Sequence, residues 1–188
     1  MIKKEFLQRF KLHQLKRSSH EYYYGSSVKS AAVLISLIDD GELKVLLTKR
    51  ASHLNHHAGQ ISFPGGKSEP EDGNLITTAL REAEEEVGLS PEQVQIVGQL
   101  HPYHTISGYI VTPVVAIVPP NLRYVKDENE VAEIFQVPLQ HFLKPENHHT
   151  LSINFNGKSH NVSFMPYKAY NIWGATAAML KDLAEHLR

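Results

Sequence analysis

The run from Asn74 to Gly88 constrains the fold more than any other part of the chain. Leu75, Ile76, Ala79, Leu80, Ala83 and Val87 share one side of a helical wheel. The spacing therefore predicts a helix over Leu75 to Val87 that must pack its apolar stripe on a larger body. Asn74 suits the N-cap and Gly88 the left-handed residue that ends a helix. Beside the stripe, Glu82, Glu85 and Glu86 stand at i, i+3 and i+4. Like charges so spaced repel by about a few tenths of a kcal/mol per pair in isolation. Such a run can be a plain solvated face. It can also be a cation site, because hard divalent ions take carboxylate oxygens and leave positions open for substrate phosphates. Arg81, four residues before Glu85, either pins that carboxylate or forms an ordinary surface pair with it.

Around this helix the pattern is mixed. Ala31 to Ile38 and Leu43 to Leu47, joined by Asp39-Asp40-Gly41-Glu42, read as a hairpin, since Asp-Gly readily supplies positive-φ residues. Ser52 to Gly59 is a polar, histidine-rich loop. Gln60 to Phe63 is a short strand stopped by Pro64-Gly65-Gly66, and Lys67 to Gly73 is a charged loop. Strands are expected at Gln93 to Leu100, Tyr109 to Val118 and Val131 to Val137, followed by a helical turn over Pro138 to Leu143. A second hairpin follows, formed by Leu151 to Phe155 and His160 to Phe164, and a closing helix covers Ala175 to Leu187. Strands and helices mingle without strict alternation. The expected fold class is therefore α/β in the α+β sense, a mixed sheet with helices on both faces, in a single domain over residues 1–188.

Composition removes several alternatives. The chain has 188 residues, of which 41% are apolar, enough for one core. Its longest apolar runs, Ala31 to Ile38 and Val111 to Pro120, fall short of the ~18 to 20 residues that cross a bilayer. There is no cysteine, which excludes disulfides, thiol nucleophiles and thiolate metal sites and fits a reducing compartment. A net charge of −1 argues against general nucleic-acid binding. The charge is uneven, because within Met1 to Arg17 Lys3, Lys4, Arg9, Lys11, Lys16 and Arg17 face only Glu5, and residues 1–25 are expected as a basic, helical extension. With Ile2, Phe6, Leu7 and Phe10 near helical spacing, this segment is either a membrane-binding or transit helix or a short helix lying on the domain. No long apolar region follows it, which favours the second.

Gly66 and the later run Arg81-Glu82-Ala83-Glu84-Glu85-Glu86-Val87-Gly88-Leu89 resemble the signature box of Nudix hydrolases, G-x5-E-x7-R-E-U-x-E-E-x-G-U with U apolar, here over residues 66–89. The second half matches throughout, with Ala83 a small choice for U. In the first half the acidic position holds Asp72 instead of Glu and Arg81 comes one residue late, leaving the acidic role among Glu69, Glu71 and Asp72. Upstream, Leu46 to Gly66 fits the pattern LLxxRxxxLxxHxGQxxFPGG that precedes the box in the coenzyme A diphosphatase branch. Ser107 to Val115 and Trp173-Gly174 are similar to that branch as well.

The resemblance implies an α/β/α sandwich and a metal-dependent pyrophosphohydrolase of the cytoplasm that splits coenzyme A or an acyl derivative into 4′-phosphopantetheine, acylated or not, and adenosine 3′,5′-bisphosphate. It implies Glu82, Glu85 and Glu86 as ligands of Mg²⁺ or Mn²⁺, with Glu85 also a possible proton acceptor, and Arg81 as their orienter. Lys49, Arg50, Gly65 and Gly66 are the expected substrate-binding residues; the charges of Lys49 and Arg50 suit a coenzyme with a 3′-phosphate, or equally serve only solubility at the end of an edge strand. The general base is left among Glu82, Glu85, Glu128 and Glu130, where Glu128 and Glu130 can equally be a solvated loop. The expected partners are a small-molecule substrate and a second copy of the chain in a homodimer, with no nucleic acid and no membrane span. Two alternatives stand beside this reading: a Nudix hydrolase of ADP-ribose, dinucleotides or nucleoside triphosphates, and a non-catalytic nucleotide-binding regulatory domain. His53, His56 and His57 sit at i, i+3 and i+4, a spacing able to hold zinc. They lack the H-E-x-x-H order, so a loop role supporting the Gly65-Gly66 turn is expected. Tyr170 and Trp173 either stack on adenine or fill the core, core being the expectation.

Overall fold

The apolar runs on either side of Asp39-Asp40-Gly41 form β1 (Lys29–Asp40) and β2 (Glu42–Arg50), and Gly41 makes the reversal with φ of 75°, a conformation glycine adopts without a Cβ penalty. The computed structural model describes residues 1–14, 28–155 and 158–188. In it β1 is the axis of an eight-stranded mixed sheet. On one side β1 pairs antiparallel with β2. On the other it runs parallel to β7 (Tyr109–Val118) from Lys29↔Tyr109 to Ile38↔Val118. β2 also pairs with β3 (Ile61–Ser62) and β8 (Val131–Pro138), and β7 with β5 (Gln95–Gln99) and β6 (Tyr103–His104). A separate hairpin joins β9 (His149–Phe155) to β10 (Lys158–Phe164).

Strands covered on both faces read as continuous apolar runs, and β1 shows why. Ile35 and Leu37 join one core with Phe6, Phe10, Leu139, Phe142, Leu180 and Leu183, whereas Leu34 and Ile38 join another with Ala79, Ala83 and Val87. The first core brings α1 (Lys3–Leu12), α3 (Leu139–Leu143) and α4 (Gly174–His186) to one face of the sheet, and the second brings α2 (Leu75–Val87) to the other. This is the expected sandwich, a mixed sheet between helix layers.

Two expectations are corrected. Pro64-Gly65-Gly66 does not simply end a strand in a loop: Gly65–Lys67 is itself β4, antiparallel to the start of β1 with Val33↔Gly65 and Ala31↔Lys67. Two glycines here allow close approach, since a Cβ on Gly65 would lie 2.4 Å from the Ala32 carbonyl and one on Gly66 would lie 2.5 Å from the Glu82 carboxyl group. The N-terminal helix is also shorter than residues 1–25. It ends at His13, whose backbone is extended, and the remainder of that segment falls outside the described residues apart from Gln14. Phe6 and Phe10 are buried against the sheet, so the apolar side of α1 is occupied by the domain and not turned outward. Smaller departures are β6 and the 3₁₀ turns at Pro70–Asp72, Pro91–Gln93 and Pro145–Asn147, all too short to carry a period. Among the described residues no helix is long and apolar enough to cross a membrane.

Candidate active site

The site is built on α2, whose limits are set by its caps. The Asn74 side chain accepts hydrogen bonds from the Ile76 and Thr77 N–H groups, each 3.0 Å. Gly88, at φ 68°, sends its own N–H back to Glu84 O while the Leu89 N–H reaches Ala83 O, which satisfies carbonyls that a helix end would leave open. With Ala79, Ala83 and Val87 turned to the sheet, Glu86 is drawn down beside them to 3% exposure. Glu82 is partly covered, and Glu85 stands outward with 59% of its side chain exposed.

Arg81 organises this side of the helix. Its Nε donates to Asp72 Oδ1 at 2.8 Å, Nη1 to Glu85 Oε2 at 2.9 Å and Nη2 to the Lys67 carbonyl at 3.1 Å; Nη2 also lies 3.0 Å from Glu82 Oε1. The pinning of Glu85 expected from the i, i+4 spacing is present. Of the three first-half acids, the one brought to Arg81 is Asp72, while Glu69 and Glu71 are exposed. Asp72 also accepts from the Thr78 hydroxyl at 2.8 Å and the Glu69 N–H at 2.9 Å. Arg81 first, then the Glu69 N–H, holds its carboxyl well below the usual carboxylate range despite burial. Thr78 was not singled out from the sequence. Its signal was a hydroxyl set among the apolar positions of α2.

Glu86 is in the opposite condition. Its Oε1 receives a long 3.4 Å contact from the Gly65 N–H, and its Oε2 is buried with no hydrogen-bond partner among the described residues. Burial pushes its pKa up to about 8; the Gly65 N–H and the Arg50 charge oppose this, and Glu130 and Glu82 reinforce it. Burial likewise raises Glu82, against the pull of Arg81. The unpartnered Glu86 oxygen, with the shielded Glu82 on the same helix face, fits a divalent cation, which supplies the charge that Glu86 lacks. In the observed side-chain arrangement, no three His, Asp or Glu side chains among the described residues form a ready-made cage, because Glu82 and Glu85 are drawn to Arg81.

The segment after β7 returns to this point. The Val125 N–H bonds Val87 O and the Asp127 N–H bonds Glu86 O, each at 3.0 Å, closing the C-terminal carbonyls of α2. This separates the two loop glutamates. Glu130 faces Glu82 and Glu86 electrostatically and lies 3.9 Å from Arg50 Nη2. Glu128 points outward, 85% exposed, toward Lys126. Lys49 and Arg50 separate as well: Lys49 is exposed, whereas Arg50 reaches toward Glu130 and its Nε is buried without a hydrogen-bond partner among the described residues. The three loop histidines do not gather. His57 Nδ1 meets Gln60 Oε1 at 2.8 Å, and His53 Nε2 meets the Asn129 carbonyl at 2.9 Å. Tyr170 stacks on Phe135 at the edge of the core and donates a short hydrogen bond to Glu133, and Trp173 is 38% exposed, stacked on Phe164.

A carboxylate helix laid on one face of a mixed sheet, with an arginine bridging its glutamates to an acid before the helix, defines a class as well as a site. The NUDIX domain model matches residues 28–158. A Yersinia pestis (strain Pestoides F) protein named "Uncharacterized Nudix hydrolase NudL" is 43% identical over 187 residues, covering 97% of this chain and 94% of its own, and a Yersinia pseudotuberculosis (serotype O:1b, strain IP 31758) protein of the same name is equally similar. Among solved structures, a MutT/nudix family protein from Enterococcus faecalis covers 97% of this chain and 73% of its own at a TM-score of 0.57 and 16% identity. An Ap4A hydrolase binary complex from C. elegans covers 60% and 82% at 0.50 and 21%; these two likenesses concern the fold. The chain belongs to the Nudix family of pyrophosphohydrolases. Members of that family generally work with a divalent metal on a small nucleotide derivative.

Proposed function

We propose that this Nudix hydrolase cleaves the pyrophosphate of coenzyme A or acyl-coenzyme A, yielding 4′-phosphopantetheine, free or acylated, and adenosine 3′,5′-bisphosphate. The observation that carries this substrate is the position of the Leu46–Gly66 segment. Its pattern resembles the coenzyme A branch, and it runs directly along the carboxylate site, with Arg50 beside Glu86 and Glu130. We read residues 1–188 as one cytoplasmic domain. The homodimer is a separate expectation, which sedimentation equilibrium decides.

In this reading Glu82, Glu85 and Glu86 would hold Mg²⁺ or Mn²⁺, and a cation bound there would supply positive charge opposite the pyrophosphate. Arg81, anchored on Asp72, keeps Glu82 and Glu85 turned to one side. Arg50 has an unsatisfied donor and a guanidinium suited to phosphate oxygens. Lys49, exposed next to it, meets the outer phosphate of a trianionic coenzyme. Gly65 and Gly66 admit the backbone of β4 against Val33 and Glu82 and turn the Gly65 N–H toward Glu86, so that backbone donors stand beside the carboxylates where the substrate's phosphates would lie. Glu130 accepts the proton of the attacking water, because it faces the same carboxylates without being held by Arg81.

Incubation with coenzyme A, acetyl-coenzyme A, ADP-ribose and a nucleoside triphosphate, each with Mg²⁺, Mn²⁺ or chelator, followed by chromatography of the products, tests the proposal. Release of adenosine 3′,5′-bisphosphate, abolished by chelator, is expected. Turnover confined to ADP-ribose or triphosphate replaces the substrate, and binding without turnover of any of them replaces the enzyme with a regulatory domain.

A further inference from the structure

Glu130 is held only loosely through its side chain: Arg50 Nη2 lies 3.9 Å away, and 48% of the side chain is exposed. A half-exposed carboxylate on so long a contact keeps its place only where the backbone beneath it is fixed.

The Asp127 N–H ties the start of this turn to Glu86 O and Val131 begins the pairing with β2, but the carbonyls of Asn129 and Glu130 themselves are held from the residues just after β2. The Ala51 N–H donates to Glu130 O at 2.8 Å, and His53 Nε2 lies 2.9 Å from Asn129 O. Two consecutive carbonyls are thus gripped by residues 51 and 53, at the end of β2. Within the turn, Asp127 Oδ1 accepts from the Asn129 N–H and side-chain amide, and its carbonyl from the Glu130 and Val131 N–H groups. A carbonyl oxygen can only accept, so His53 Nε2 carries the hydrogen in this contact, as it does in either the neutral Nε2–H tautomer or the imidazolium. His57, by contrast, is engaged with Gln60, inside its own loop.

We infer that His53 is a positioning residue, which holds the Asn129–Glu130 turn so that Glu130 stays at the Glu82–Glu86 carboxylates. The role rests on the proposed function in one respect only, that Glu130 takes part in turnover. It makes the segment that carries the substrate-branch pattern and the loop that carries Glu130 one mechanical unit.

The test uses the full chain with coenzyme A and Mn²⁺, and the variants His53→Ala, His53→Gln, His53→Asn, His56→Ala, Glu130→Gln and the double variant His53→Ala with Glu130→Gln. General-base contributions span about 10² to 10⁴ in rate, so partial displacement of Glu130 in His53→Ala is expected to lower kcat about tenfold with KM changed less than about twofold. The glutamine amide nitrogen overlies imidazole Nε2, so His53→Gln recovers most of the rate. Asparagine overlies Nδ1 and does not reach, and His56→Ala is unchanged. Once Glu130 is glutamine, removing His53 has no further effect, since the two act as one. Wild-type kcat in His53→Ala, no recovery by glutamine, or an undiminished loss in the Glu130→Gln background overturns the inference.

Amide hydrogen exchange separates this result from failure of the function itself, because it needs no substrate. Faster exchange at Asn129, Glu130 and Val131 in His53→Ala, with α2 unaltered, supports the grip of His53 on the turn. Unchanged exchange there overturns it, whichever substrate the wild type hydrolyses.

Discussion

Asp72 and Glu86 are both nearly buried carboxylates of one site, and they are stabilised in opposite senses. Asp72 is saturated with donors from Arg81, Thr78 and Glu69, so its contribution to stability is present above the ordinary aspartate range and is lost as pH falls through it. Replacing it by alanine strands a partly covered guanidinium. We expect a loss of about 2–3 kcal/mol in urea denaturation, below the ~3–5 of a fully buried broken pair because Arg81 keeps some contact with water. Glu86 is starved of partners, and its folded pKa lies near 8, above the ~4.3 of an exposed glutamate. A raised carboxyl stabilises the fold below its unfolded value and loses that stabilisation as pH climbs through the folded one. Metal-free protein should therefore lose thermal stability from about pH 4.3 to about pH 8. The loss should be absent in Glu86→Gln, which also abolishes turnover at saturating Mg²⁺. Parallel melting profiles of the two proteins in chelator, or activity in the variant, would remove the assignment of Glu86.

At the scale of elements, α2 and β4 show what a sequence exposes and what it hides. The helix was legible to the residue, Leu75 to Val87, because its start and stop are local chemistry: an asparagine that bonds two following N–H groups and a glycine at positive φ. The glutamates on it were legible for the same reason, by spacing alone. β4 was hidden, because Gly65-Gly66 reads locally as a turn and becomes a strand only through pairing with β1, thirty-odd residues earlier. That Asp72 and not Glu69 or Glu71 meets Arg81, and that Glu130 lies by Arg50 while Glu128 lies by Lys126, was hidden too. Each depends on the direction in which a folded loop turns its side chains, and all of them look alike as acids in a polar stretch. Gly66→Ala tests the contact between these two elements. The added Cβ would fall on the Glu82 carboxyl group, so Mn²⁺ affinity measured by calorimetry should weaken at least about tenfold while the fold persists, since the displaced group is the end of a flexible side chain. Unaltered affinity would dissociate Glu82 from the cation.

For the molecule as a whole, the basic N-terminal helix is the instructive case. Its charge and period matched a membrane helix as well as a domain helix, and the sequence favoured the second only by the lack of a long apolar region after it, because the partner of Phe6 and Phe10 is a core assembled from distant strands. Gly98 leaves room for Phe10, where a Cβ would fall 2.8 Å from its ring, and His186 Nε2 meets the Phe10 carbonyl at 2.9 Å. Phe6 is fully buried, and Phe6→Ala should cost about 3–5 kcal/mol in equilibrium unfolding. A loss below about 1 kcal/mol, with binding of the wild type to anionic vesicles, would return α1 to the membrane reading.

The parallel partnership of β1 with β7 also has a consequence in time. Hairpins such as β1–β2 close over a few residues and need little of the chain, but β7 lies some seventy residues beyond β1, with α2 between them, and pairs along its whole length from Lys29↔Tyr109 to Ile38↔Val118. Distant pairings must overcome loop-closure entropy before any contact compensates it, which slows folding. Val115→Ala, at the centre of β7, should therefore slow refolding in stopped-flow mixing, whereas a comparable truncation in β10 should chiefly hasten unfolding. On the ribosome, the residues of α2 emerge before the strand that completes the sheet beneath them, so the nascent chain carries its cluster of negative charge on an unfinished scaffold until β7 has cleared the ribosome.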